Sequence, residues 1–184
     1  SYYSDQPYAT DSLTGIIWTT KTVTPDSRVG FALDTDRSNT SVEVTDGENL
    51  ISIYYKRNQH QLGTQYSWDF YNNYDLVHFE PTLKQYYYYG EHISFEVSAD
   101  TWYTVNDLTL SGWNNAQIQE NTINFDMWDA DATLTVGGTK NHYTIDYFLA
   151  GWNPDPNQPD NLTGYSVTET EIYVYDPIRT GFIF

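Results

Sequence analysis

Apolar and polar residues alternate with a period of two along this chain, and no amphipathic helix longer than a turn or two can be drawn in it. Ile51, Ile53 and Tyr55 alternate with Ser52, Tyr54 and Lys56, and Ile93, Phe95 and Val97 alternate with His92, Ser94, Glu96 and Ser98. Successive side chains of a strand point to opposite faces, so each run reads as a strand with one face buried. The same pattern marks Gly15 to Val23, Arg28 to Leu33, Ser41 to Thr45, Gln65 to Phe70, Leu76 to Glu80 and Leu83 to Tyr89. It continues in Trp102 to Leu110, Thr122 to Trp128, Ala132 to Val136, His142 to Leu149 and Ser166 to Tyr175. Asp46-Gly47 and Gly137-Gly138 each fall between two such runs and read as hairpin turns, which need residues tolerant of positive φ. Short strands, polar turns and no helices to cover a parallel sheet predict an all-β fold, an antiparallel β-sandwich or jelly roll with negligible helix. The 184 residues fit a single sandwich domain over 1–184, with two small sandwiches divided near Gly90 as the alternative. Tyr86 to Tyr89 cannot share one face of a strand, so at least one pair of these rings is expected to project toward solvent or a partner.

Asp and Glu number 25 against 8 Lys and Arg, a net charge of -17. Such a chain is not built to grip nucleic-acid phosphates or an anionic membrane surface. Only 18% of residues are charged while 17% are aromatic, with 18 Tyr and 6 Trp, so the acidity belongs to a folded chain rather than a disordered one. The absence of cysteine removes disulfides, thiolate metal ligands and cysteine nucleophiles together. No apolar run approaches the roughly 20 residues of a membrane helix. Ser1-Tyr2-Tyr3-Ser4-Asp5 carries neither the basic nor the apolar part of a secretory leader, so either one has been removed or none existed. An extracellular or cell-surface location is expected, with a leaderless cytosolic protein as the alternative.

An aromatic face covers the C–H face of a pyranose while amides and carboxylates bind its hydroxyls, so Trp beside Asn and Asp on a loop points to sugar. Trp113 precedes Asn114 and Asn115, Trp152 precedes Asn153 and Asp155, and Trp128 stands between Asp126 and Asp129. The first two occur in an internal echo, Asp107-Leu108-Thr109-Leu110-Ser111-Gly112-Trp113-Asn114 and Asp146-Tyr147-Phe148-Leu149-Ala150-Gly151-Trp152-Asn153. Each copy reads as a strand ending at a glycine that turns the chain, with Trp113 and Trp152 on one rim if the strands run the same way; a ring plugging the end of the core is the competing reading. The alternation turns Ile123, Phe125 and Met127 inward and leaves Asn124, Asp126 and Trp128 facing out. Clustered carboxylates at Asp126, Asp129 and Asp131, at Asp34 and Asp36 with Asn39, and at Asp155 and Asp160 with Asn157 suit calcium, although none has the spaced glycine and final glutamate of a twelve-position calcium loop. His60, His78, His92 and His142 lack metal-site spacing, and no Gly-x-Ser-x-Gly elbow occurs. A small jelly-roll glycosidase is the enzyme alternative, with Glu80, Glu91 and Glu96 as its candidate carboxylates. Asn39-Thr40-Ser41 and Asn161-Leu162-Thr163 are N-glycosylation sequons.

The C-terminal run Gly164-Tyr165-Ser166-Val167-Thr168-Glu169-Thr170-Glu171-Ile172-Tyr173-Val174-Tyr175-Asp176-Pro177, with the closing Gly181-Phe182-Ile183, resembles the final strands of the Fve-type fungal immunomodulatory proteins. The resemblance covers about the last twenty residues. It implies an immunoglobulin-like sandwich that dimerises and agglutinates cells through sugar. Members of that family are shorter, and their N-terminal dimerisation helix has no counterpart here, so no site residue carries over. The expectation is a non-catalytic carbohydrate-binding module, a lectin or surface adhesin, with a glycan or cell-surface ligand and a possible homodimer. A protein-binding or assembly domain of a cell-surface structure is the alternative, anchored by the tyrosine run and exposed tryptophans.

Overall fold

The computed structural model describes residues 8–112, 116–169 and 171–182. Among these, the strands before Gly90 are β1 (Thr20–Thr22), β2 (Phe31–Leu33), β3 (Ser41–Glu43), β4 (Tyr55–Arg57), β5 (Gln59–Trp68), β6 (Val77–Glu80) and β7 (Tyr86–Tyr88). Those after it are β8 (His92–Ala99), β9 (Tyr103–Ser111), β10 (Gln117–Gln119), β11 (Thr122–Asp126), β12 (Ala132–Lys140), β13 (Tyr143–Thr144) and β14 (Gly164–Tyr165). A single 3-10 turn at Tyr74–Leu76 is the one helical element among the described residues, and the fold is all-β. No helix among them is long and apolar enough to cross a membrane.

Two four-stranded sheets, ordered β10-β11-β8-β6 and β7-β5-β12-β9, form the sandwich. Strict alternation builds its core: Ile93, Phe95 and Val97 of β8 and Ile123 and Phe125 of β11 meet Leu62 of β5 and Leu134 and Val136 of β12 in one buried cluster. Full burial of such side chains contributes about 1.5–3 kcal/mol each, so this layer dominates the stability. Both sheets combine strands from before and after Gly90, and the core is shared across that point. Three two-stranded ladders, β1 with β3, β2 with β4 and β13 with β14, lie outside the two main sheets.

The structure departs from the alternation in identifiable places. β5 and β12 run parallel, Leu62 opposite Ala132 through Trp68 opposite Gly138, inside an otherwise antiparallel fold. Gly137-Gly138 is not a hairpin turn: both residues lie within β12, with a bulge between them. A β-carbon on Gly138 would overlap the ring of Phe70, so the glycine opens the strand to a residue from the loop after β5. Asp46-Gly47 does turn the chain, with Gly47 at φ +96 and Asn49 bonding Thr45 and Gly47, but β3 takes β1 as its partner rather than residues 50–53. Of the two C-terminal candidates, His142 to Leu149 forms a strand only at Tyr143–Thr144, and the described residues of Ser166 to Tyr175 form none; the partner of Tyr143–Thr144 is Gly164–Tyr165, just before that second run. Beyond Tyr165, Glu169 accepts bonds from the Ser166 N–H and hydroxyl, closing a local turn that competes with an extended ladder.

Because β5 and β12 are parallel and β9 returns against β12, Trp68, Lys140 and Tyr103 come to one end of the sandwich. The loops 69–76, 100–102 and 141–142 gather there. Ser111 and Ala132 mark the opposite end.

Candidate functional site

Trp113, Asn114 and Asn115 lie outside the described residues. The echo they share with Trp152 is not an equivalence in three dimensions. Asp107–Leu110 lies within β9, whereas residues 146–149 form no strand. What the copies do share is the glycine, left-handed in both, at φ +83 for Gly112 and +87 for Gly151. Gly112 packs against the backbone of Asp131 at one end of the sandwich, while Gly151 belongs to the segment that leaves from the other end.

Trp128 faces out, as the alternation predicts, and is 48% exposed, yet its ring rests on Tyr89 at 5.6 Å and Tyr89 on Phe31 at 5.8 Å. This stack is a seam fastening the N-terminal segment to the sandwich. Asp129 is its polar clasp, accepting bonds from the Gly30 N–H (2.9 Å), Asn58 Nδ2 (2.7 Å) and His60 Nε2 (2.9 Å). The Asn58, Gly30 and His60 donors hold its carboxyl below the ordinary aspartate range. Asp131 accepts from the Gln61 N–H at 2.8 Å and lies 3.7 Å from the other ring nitrogen of His60, so the two carboxylates bracket one imidazole from opposite sides. Asp126 pairs with His92 across β8 and β11 at 2.7 Å. Asp126, Asp129 and Asp131 therefore each have a partner of their own, and no group of three His, Cys, Asp or Glu among the described residues is gathered to hold a metal ion.

The glutamates separate likewise. Burial raises the pKa of Glu91, but bonds from Lys84 (2.6 Å) and the Tyr88 N–H (2.9 Å) outweigh it and the carboxyl lies below the usual range. Glu80 and Glu96 sit directly opposite each other on the outer, exposed face of β6 and β8. In the tyrosine run, Tyr86 projects into solvent, Tyr87 enters the core, Tyr88 lies under the Arg57 guanidinium at 5.5 Å, and Tyr89 joins the seam.

Trp152 lines a groove of about 440 Å³ with Asp155, Gln158, Tyr175, Asp176 and Arg179. Two segments form its walls. Asn153 and Ile178 exchange backbone bonds at 2.9 and 2.8 Å, and the side chain of Asn161 accepts the Tyr175 N–H at 2.7 Å. The Trp152 ring meets Phe182 edge-on at 6.1 Å, and Arg179 lies 4.8 Å over the Phe182 ring. Asp155 closes its own turn by accepting the Asn157 N–H at 2.9 Å. An indole and a phenol beside a guanidinium, two carboxylates and an amide offer both the apolar face and the hydrogen-bonding groups that a polyol requires.

A second aromatic group, outside the Gly-Trp-Asn segments and distinct from Trp128, lies at the Trp68 end. Trp68, Tyr71 and Tyr74 are 58%, 71% and 60% exposed on one turn, beside exposed Asn72 and Asp75. Phe70, fully buried, anchors that turn against Gly138; Asp69 donates its N–H to Gly138 O and accepts the Lys140 N–H at 2.8 Å. Trp102, 42% exposed, stands on the adjoining turn and meets Tyr143 edge-on at 5.5 Å. The sequence carries the signal as Trp68-Asp69-Phe70-Tyr71-Asn72-Asn73-Tyr74, the same aromatic and amide adjacency as at Trp113; the strand expected over residues 65–70 ends at Trp68, which frees the following residues to form the loop. Comparison of the chain with protein-family models, curated proteins and solved structures finds no match.

Proposed function

We propose that this protein is a non-catalytic carbohydrate-binding module of lectin or surface-adhesin type, with its sugar in the groove of Trp152. The supporting observation is the lining of that groove, in which Trp152 and Tyr175 stand beside Asp155, Gln158, Asp176 and Arg179. Its volume, about 440 Å³, lies within the range of small-ligand sites. The reading carries an extracellular or cell-surface location with it. A glycan array with the native protein and Trp152→Ala tests it. Binding of a defined glycan is expected, weakened about tenfold or more by the substitution, with Trp152→Phe retaining part of it. An array on which nothing binds, or on which Trp152→Ala binds as the native protein does, overturns it.

One observation favours the second reading, a protein-binding or assembly domain. Ile16 and Trp18 are both 76% exposed on the turn before β1, with Trp18 in the left-handed region at φ +64. Large apolar side chains displayed on a turn are typical anchors of a protein interface. A protein partner recovered with the native chain but lost with Trp18→Gly, together with an empty array, is the outcome that reading expects.

A further inference from the structure

We propose that the Trp68 end of the sandwich is a second glycan-binding site, which takes an extended, neutral polysaccharide rather than a single sugar. The inference shares with the Trp152 reading only the premise that the protein binds carbohydrate.

A platform must hold its rings in place before the ligand arrives, or their ordering offsets the gain. The turn of Trp68, Tyr71 and Tyr74 is pinned from below by Phe70 and Asp69 and closed by Phe70 N–H to Ser67 O, Tyr71 N–H to Trp68 O and Asn73 N–H to Phe70 O. Asn73 also donates its side-chain amide to Asp69 O at 2.8 Å. Trp68 stands in the left-handed region, at φ +57, where a large side chain is disfavoured. That conformation carries the indole out of the alternation of β5, which places Leu62 and Tyr66 against the core, and into solvent. Folding alone does not account for a bulky, exposed ring at a position that glycine would fill without strain.

At 58–71% exposure the three rings stand proud of the surface and enclose nothing, so they meet a ligand laid across them rather than one inserted into them. Trp68 is opposite Gly138, and Gly138 is opposite Val105, three residues after Trp102. Two strand spacings across and three residues along separate Trp68 from Trp102 by roughly 10–15 Å, more than one pyranose bridges. A chain of sugars with equatorial hydroxyls presents repeated apolar C–H faces along such a length. On a protein of net charge -17, the exposed Asp75 and Asp100 at this end, the latter bonded to His78 at 2.7 Å, outnumber Lys140, which disfavours uronates and sulfated glycans.

Affinity electrophoresis in gels containing xylan, hydroxyethyl cellulose or polygalacturonate provides the test. The native protein and Trp152→Ala should be retarded by at least one neutral polymer, Trp68→Gly should migrate freely, and Trp102→Ala should be weakened. Retardation should be about tenfold weaker or more when a stacking ring is lost. Trp68→Gly relieves the left-handed strain, so its melting temperature should not fall; Tyr71→Ala is the independent variant should it do so. Both ring variants retarded like the native protein, no retardation in either neutral gel, or retardation by polygalacturonate each overturn the inference. If binding on the array depends on Trp152 while Trp68→Gly changes nothing in the gels, this site fails and the groove stands. If Trp68→Gly abolishes retardation while Trp152→Ala leaves the array unchanged, the groove fails and this site stands.

Discussion

The ring of Phe70 fills the place where a β-carbon on Gly138 would be. Nearest among that carbon's other neighbours is Thr104 O at 2.7 Å, backbone that cannot swing away. Gly138→Ala should therefore destabilise the protein by about 1–3 kcal/mol through overpacking, measured by denaturant unfolding, and should loosen the Trp68 turn with it. Asp129 gives a residue-scale dependence on pH. Its folded pKa lies below the ordinary value of about 3.9, so its contribution is complete above that value and is lost as pH falls through the lowered folded value. Acid unfolding should release the N-terminal seam in that window, seen as a change in Trp128 fluorescence below about pH 4. Asp129→Asn should weaken the seam at neutral pH and flatten the acid response. Two sequon asparagines already have backbone partners: Asn39 accepts the Ser52 N–H at 2.6 Å and Asn161 accepts the Tyr175 N–H. A glycan on Asn161 would disturb a wall of the Trp152 groove.

Between β10 and β11 the chain turns in two residues, Glu120 and Asn121, since Gln119 pairs with Thr122. Glu120 is left-handed at φ +54, a position at which such hairpins favour glycine. Glu120→Gly should raise stability by about 0.5–1 kcal/mol, readable as a higher melting temperature, because removal of the side chain relieves more strain than the added chain entropy takes away. The same turn shows what the sequence conceals. β8 and β11 are legible residue by residue, since Ile93, Phe95, Val97, Ile123 and Phe125 alternate with polar residues over a one-sided core. β10 carries no glycine turn signal, and β5 buries little besides Leu62 and Tyr66 among polar neighbours, so neither announces its full length. Gly137-Gly138 misleads for the opposite reason: glycine marks a turn and a close approach alike, and only the ring of Phe70, distant in sequence, distinguishes them. Of the site, Trp152 with Asp155 is readable from local adjacency, whereas the company of Tyr175 and Arg179 depends on a pairing at Asn153 and Ile178 that alternation does not encode.

At the scale of the molecule, a charge of -17 spread over 184 residues acts against compaction. Raising sodium chloride from about 10 mM to about 150 mM, which shortens the screening length from about 30 Å to about 8 Å, should raise the melting temperature. Calcium and magnesium at matched ionic strength should act alike, because Asp126 and Asp129 are already bonded to His92 and to Gly30, Asn58 and His60. An excess for calcium would reveal a carboxylate site elsewhere in the chain.

The parallel pairing of β5 with β12 also sets an order of events on the ribosome. Leu62 waits for Ala132, about 70 residues later, and at 5–20 residues per second that interval is roughly 4–14 s of synthesis. In that time β7 can take one edge of β5, through Gln59, His60 and Gln61, but the other edge has no native neighbour. β9, complete before β12 exists, waits too, since β12 is the strand that joins it to β5. The nascent chain thus carries two unmated edges until a single nine-residue strand emerges between them and closes the sheet in one step.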